Sequence, residues 1–275
     1  MRRILVVSLI AAVIIGGGEW AYQRIRDVLV IPKCTFTASN GDAVSYDPEQ
    51  SANAATIAAV ALRRGISAKA ITIALATVQQ ESKLRNLNYG DRDSQGLFQQ
   101  RPSMGWGSTE DITTPRIATS RFYSALLRVP NWQSLDVQAA AQAVQRSADG
   151  SAYQRWESSA QIMTNALADE GNVNCRLHQF GGKKTSDFAA LKSALQQEWL
   201  VSDFKRQGNV VTINTKRPES IGKWLIAHAE EFARTAHRND TLNQQIEIGR
   251  RIDEIQVLGI DDQQRRRIVL VEKLY

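Results

Sequence analysis

Three features of the 275-residue sequence predict a mainly α-helical chain with an N-terminal membrane segment, an all-helical domain and then a small α+β domain. An apolar run opens the chain, capped helical signals continue from Asp47 to Gly171, and helices alternate with short strands after Cys175. The expected boundaries are 1–22 for a transmembrane anchor or signal, 23–46 for a juxtamembrane stalk, 47–175 for the helical domain and 176–275 for an α+β domain of unknown role. With 43% hydrophobic and 23% charged residues, the composition suits one large or two modest folded domains.

Met1-Arg2-Arg3 precedes an apolar stretch from Ile4 to Gly18 that only Ser8 interrupts. The two arginines favour keeping that end in the cytoplasm, so the rest is expected outside a cell membrane crossed once. The stretch is shorter than the roughly 20 residues of a full span, and a cleaved signal peptide therefore competes with a retained anchor. Trp20 and Tyr22 extend it as interfacial residues, and no clear Ala-x-Ala cleavage pattern appears. Both points favour the anchor.

Cys34 and Cys175 are the two cysteines, and they bracket the helical region instead of forming a Cys-x-x-Cys pair. Outside the cytoplasm a disulfide between them is favoured over two free thiols. Closing a loop of about 140 residues would add about 4 to 5 kcal/mol in the chain-entropy account. The formal charge of +6 and pI near 9.4 fit nucleic acid, an anionic membrane or an anionic wall polymer, and charge alone does not choose among them, but no nucleic-acid motif stands beside it. Arg265, Arg266 and Arg267 form the densest basic run and read as a solvated face. His178, His228 and His237 lack zinc spacing and read as surface or core residues, so neither metal nor cofactor is expected.

Each helix has its own start and stop. Asp47, followed by Pro48 and by Gln50 three positions on, starts the first in a pattern close to the capping box; Gly65 ends it. Ser67 is placed to cap the second, which is expected to run to about Asn86. A turn-rich loop, NLNYGDRDSQG, follows. Pro115 opens a helix that must end before Pro130, and two more are expected near Leu135–Ser147 and Ser151–Asp169. Beyond Cys175, SDFAALKSALQQEWL and ESIGKWLIAHAEEFARTAH read as helices. NVVTINT, Ile252 to Leu258 and Ile268 to Val271 read as strands.

The second helix poses the functional question. Val78, Leu75, Ala74 and Ile71 fall on or beside one apolar face, and Glu81 sits at its end. Burial penalises a charged carboxylate, and the carbonyl ends of a helix C-terminus disfavour an anion. Both favour a carboxyl group that keeps its proton, which is what a glycosidase uses to protonate a leaving oxygen. A glutamate turned to solvent, or paired with Arg85 or Arg101, is the plainer reading of that position alone.

Glu81-Ser82 followed by YGDRDSQGLFQQRP at 89–102 resembles the signature of lysozyme-like lytic transglycosylases and goose-type lysozymes. That signature is a Glu-Ser at a helix end, a Gly-Asp loop (Gly90, Asp91), then Gly-Leu-x-Gln (Gly96, Leu97, Gln99). AAQAVQRSADGSAYQRWE at 140–157 is similar to the later transglycosylase segment, and both blocks look like lysozyme-like domains of actinobacterial and phage proteins. The resemblance covers roughly residues 50–168 and leaves the C-terminal hundred untouched.

The resemblance implies a peptidoglycan-cleaving enzyme with Glu81 as general acid/base and Asp91 as a residue that positions water. Substrate contacts would come from Ser82, Asp93, Gly96, Leu97, Gln99, Gln100, Trp106 and Gln145. Trp106 lies in a loop between Gly105 and Gly107 and offers a flat ring to a sugar, whereas Tyr153 and Trp156, three apart in one helix, read as packing residues. Two departures matter. Arg101 stands where goose-type enzymes carry a second aspartate, which favours a lytic over a hydrolytic enzyme, since the former needs no water nucleophile. Ala143-Val144-Gln145 replaces the Ala-Tyr-Asn of transglycosylases, so a catalytically inactive glycan-binding or scaffolding module of an envelope complex remains the alternative. The C-terminal domain would then meet envelope proteins.

Overall fold

The computed structural model describes residues 31–146, 152–177, 188–207, 210–235, 255–260 and 266–271. The chain is mainly helical with a small complement of sheet. The expected membrane segment at 1–22 lies outside the described residues, and among those described no helix is long and apolar enough to cross a membrane.

Helix α1 (Pro48–Arg63) starts as expected: the Asp47 side chain accepts from the Gln50 N–H at 3.0 Å, and the Gln50 side chain accepts from the Asp47 N–H at 3.1 Å. Such a reciprocal cap is worth about 1 kcal/mol. The run from Asn53 to Ala61 is buried on all sides, which its alanines permit by letting neighbouring helices approach closely. Helix α2 (Ala68–Ser82) is equally enclosed from Ala70 to Gln79. Ser67 precedes it in extended backbone, but its side chain makes no cap hydrogen bond.

Helix α2 ends at Ser82, four residues short of the expected stop. Lys83 and Leu84 both turn into the left-handed region, with φ of 55° and 62°. The reversal buries Leu84 completely and gives its carbonyl the Asn53 side-chain amide at 2.8 Å. Burying a leucine, worth about 1.5–3 kcal/mol, together with that hydrogen bond offsets the strain of about 1–3 kcal/mol at each left-handed residue.

Short helix α3 (Thr109–Ile112), which the pattern did not announce, is closed by a Ser108/Asp111 capping box. Helix α4 (Pro115–Leu126) follows, then α5 (Val137–Gln145), capped by Asp136. The single helix expected at 151–169 is instead a 3-10 turn at Gln154–Trp156 leading into α6 (Glu157–Ala168).

Strands β1 (Lys33–Thr37) and β2 (Ala43–Tyr46) form a hairpin within the segment expected as a stalk. It is packed rather than extended, because Cys34 and Phe36 alternate onto the inner face and are fully buried. Strand β3 (Asn172–Arg176) pairs antiparallel on the other side of β1, with Cys34 opposite Cys175. The expected disulfide joins that cross-strand pair.

The C-terminal part comprises α7 (Phe188–Trp199), β4 (Phe204–Gln207), β5 (Val210–Thr215), α8 (Pro218–Ala227), α9 (Ala229–Thr235), β6 (Ile255–Ile260) and β7 (Arg266–Val271). Its strands form an antiparallel sheet in the order β4-β5-β7-β6. The helix expected over 219–237 is divided at His228, whose backbone leaves helical geometry. Helices α7 and α8 pack on α1, so one continuous apolar core runs from Cys34 through Ile57 to Trp224 and Phe232.

Candidate functional site

The stripe leading to Glu81 is as apolar as expected: Ile71, Ala74, Leu75 and Val78 are fully buried. Glu81 itself is half-buried, at the rim of the stripe and not inside it. The cause is the early helix end, which leaves Glu81 in the last turn beside the reversal at Lys83. Its Oε1 accepts a hydrogen bond from the Tyr153 hydroxyl at 2.7 Å. Tyr153 is fully buried and reaches Glu81 from just before the 3-10 turn, so the break in the 151–169 helix sets the carboxylate's orientation.

Hydrogen bonds tie the loop of 87–100 to this helix end. The buried Ser82 hydroxyl donates to the Leu97 carbonyl at 2.7 Å, and the Gln145 amide at the end of α5 donates to the Phe98 carbonyl at 2.8 Å. Ser82, Leu97 and Gln145 are thereby brought to one locality, but through main-chain supports. Gly96 stands at φ 77°, and a Cβ there would lie 2.0 Å from the Ile112 carbonyl oxygen. Gln99 folds back over the loop, its amide donating to the Tyr89 and Gly96 carbonyls at 3.2 Å each, and a Cβ on Gly90 would meet its Oε1 at 2.0 Å. The two glycines are required by close approach. Gln100 is buried, pairs with Gln95 through the backbone and donates to the Ala118 carbonyl at 3.3 Å. Leu97 and Gln100 therefore serve as the loop's interior.

The two aspartates differ. Asp91 is 91% exposed at its side chain, with Arg92 4.0 Å away. Asp93 accepts from Arg101 at 2.7 Å and from the Ser103 N–H at 2.8 Å, and these donors hold its carboxyl far below the usual carboxylate range. Arg101, the departure from the goose-type pattern, is thus the structural partner of Asp93.

Near Glu81 stand residues that the pattern passed over or assigned to packing. Lys83 lies 4.5 Å over the Trp156 ring, and burial together with Arg155 nearby lowers its pKa. Arg155 and the Trp156 indole both donate to Gln80 Oε1 at 2.9 Å. Lys83 and Gln80 flank Glu81 in sequence, but Tyr153, Arg155 and Trp156 come from more than 70 residues away. A cluster of amides, an indole and cations beside one carboxylate can hydrogen-bond sugar hydroxyls and stabilise or transfer a proton.

Trp106 belongs to a different set of neighbours among the described residues. It lines a cavity of about 380 Å³ with Gly105, Ser120, Arg121, Ser124 and Arg128. Glu81 is not among those residues. Among the described residues no group of three or more His, Cys, Asp or Glu is gathered as metal ligands.

No protein-family model matches the chain, and no curated protein matches its sequence.

Proposed function

We propose that this chain is a membrane-anchored enzyme that cleaves the glycan strands of peptidoglycan, with Glu81 as general acid/base and a lytic product. The observation that carries this reading is the Glu81–Tyr153 pair: a half-exposed carboxylate, oriented by a buried phenol, beside a loop held by Ser82 and Gln145. In this reading Glu81 delivers a proton to the glycosidic oxygen as the bond to C1 breaks. The resulting carboxylate takes the proton of the substrate's own C6 hydroxyl, whose oxygen closes on C1 as a 1,6-anhydro ring. No water enters, which suits the arginine at position 101 and the solvent-exposed side chain of Asp91.

Incubating the full chain with purified cell wall and resolving the products by mass spectrometry tests the proposal. Anhydro-ended muropeptides are expected, and Glu81→Gln is expected to abolish them. Equal release by that variant rejects the acid role, and reducing ends indicate a hydrolase. The second reading, a glycan-binding module, is favoured by one specific observation: Gln145 spends its amide on Phe98 and Val144 is buried. Wall binding without any released product would select it.

A further inference from the structure

We propose that the cavity between α4 and the Trp106 loop is a second binding site, for a saccharide carrying an anionic group. Ser120, Arg121, Ser124 and Arg128 recur at three- and four-residue steps, so they form one stripe along α4 and the turn after it. The stripe spans about 12 Å along the axis, enough for one or two sugar rings. Trp106 faces the same cavity from a loop whose flanking glycines adopt φ of 79° and 116°.

Positive charge is concentrated there. Arg121 Nη2 donates to Asp111 Oδ2 at 2.7 Å, and Asp111 is the one carboxylate hydrogen-bonded to this guanidinium among the described residues. A Cβ on Gly107 would lie 2.7 Å from the guanidinium carbon of Arg121, so the bare backbone is what admits that side chain. Arg128 is exposed and has no ion pair among the described residues. Arg64 lies behind the serines, donating to the Ser120 carbonyl at 2.8 Å and to the Ser124 hydroxyl at 3.2 Å. Two guanidinium groups thus line the cavity, with Arg64 bonded to its serines and Asp111 ion-paired with Arg121, an arrangement that favours an anion. Trp106 and the seryl hydroxyls supply the apolar face and polar edges that a pyranose needs.

The anion follows from the charges alone, whereas the choice of a saccharide rests also on the function proposed above. A carboxylate and a phosphate would both satisfy these arginines. Titration calorimetry of the full chain with N-acetylmuramic acid, N-acetylglucosamine 1-phosphate and neutral N-acetylglucosamine separates them. At least one acidic sugar is expected to bind ten-fold or more tightly than the neutral one and to weaken with added salt. Arg128→Gln, at an exposed position, is expected to remove that preference, and Trp106→Leu to weaken acidic and neutral sugars alike. Equal binding of all three sugars, no binding at millimolar concentration, or an unchanged preference in Arg128→Gln overturns the site. Unchanged sugar binding in Trp106→Leu overturns its assignment to a saccharide. Glu81→Gln is expected to retain binding, so loss of wall cleavage and loss of this site are separate results.

Discussion

The Tyr153 hydroxyl donates to Glu81 Oε1 at 2.7 Å across 72 residues of sequence. One of the carboxylate's two oxygens is therefore held from the buried side, which limits the rotamers that Glu81 can adopt.

Removing that donor is the most direct probe of its role. Tyr153→Phe keeps the ring and its packing but frees the carboxylate. Loss of a hydrogen bond to a charged group costs about 1.5–3 kcal/mol, so wall cleavage is expected to slow about ten-fold or more. Thermal unfolding of the same variant checks that the fold survives; an unchanged cleavage rate would deny Tyr153 a positioning role.

A second carboxyl group makes stability depend on pH. Glu198 Oε2 accepts from the Trp224 indole at 2.7 Å and Oε1 from the Thr56 hydroxyl at 3.2 Å, where α7 and α8 meet α1. Burial pushes its pKa up from 4.5 to about 7 despite these donors, with Glu231 raising it further and Arg116 opposing. His228 stacks on Trp224, stands 3.3 Å from the same Thr56 hydroxyl, and is pushed by burial down from 6.5 to about 4; the exposed Glu231 carboxylate lies 3.8 Å from it. Stability from protonated Glu198 is full below about pH 4.5 and is lost as pH rises through 7. Stability from neutral His228 is full above about pH 6.5 and is lost as pH falls through 4. The two oppose each other between pH 4 and 7. Glu198→Gln is expected to be more stable than the parent at pH 8, by up to about 3 kcal/mol, and to lose stability steadily on acidification from pH 6.5. Denaturant unfolding across this range measures both effects.

The Cys34–Cys175 bridge closes a separation of 141 residues between neighbouring strands. Its loss is expected to cost about 4–5 kcal/mol by the chain-entropy account. Melting the Cys34→Ser, Cys175→Ser double variant checks this, with a drop of about 10 °C or more expected for a chain of this size. Non-reducing peptide mapping checks the bond itself.

Gly96 has no room for a side chain. A Cβ would strike the Ile112 carbonyl at 2.0 Å, and its φ of 77° is unfavourable for any L residue. Gly96→Ala is expected to destabilise by about 2–4 kcal/mol and to displace the loop that Ser82 holds through Leu97. Unfolding free energy measures the first effect, and wall cleavage the second.

Local chemistry was legible wherever cause and effect lay within one turn. The Asp47–Gln50 box, Pro115 as a helix start and the buried face from Ile71 to Val78 all depend on neighbours a few residues apart. Helix α2 stops short of the expected end because Leu84 is buried in the core and its carbonyl takes the side-chain amide of Asn53, 31 residues away. Spacing assigns Tyr153 to packing, because its hydrogen-bond partner Glu81 lies 72 residues away in the sequence.

Capping, periodicity and two well-separated cysteines thus determined, from the chain alone, a mainly helical body with a disulfide and a glutamate at the end of an apolar stripe. Tertiary structure alone decided that Glu81 sits at a rim under Tyr153, that Asp93 is engaged by Arg101, that Trp106 faces an arginine-lined cavity, and that Glu198 and His228 share Thr56. The physical reason is range. Helix signals act between groups a few residues apart, whereas burial, charge pairing and cavities arise only when side chains remote in sequence close around one another.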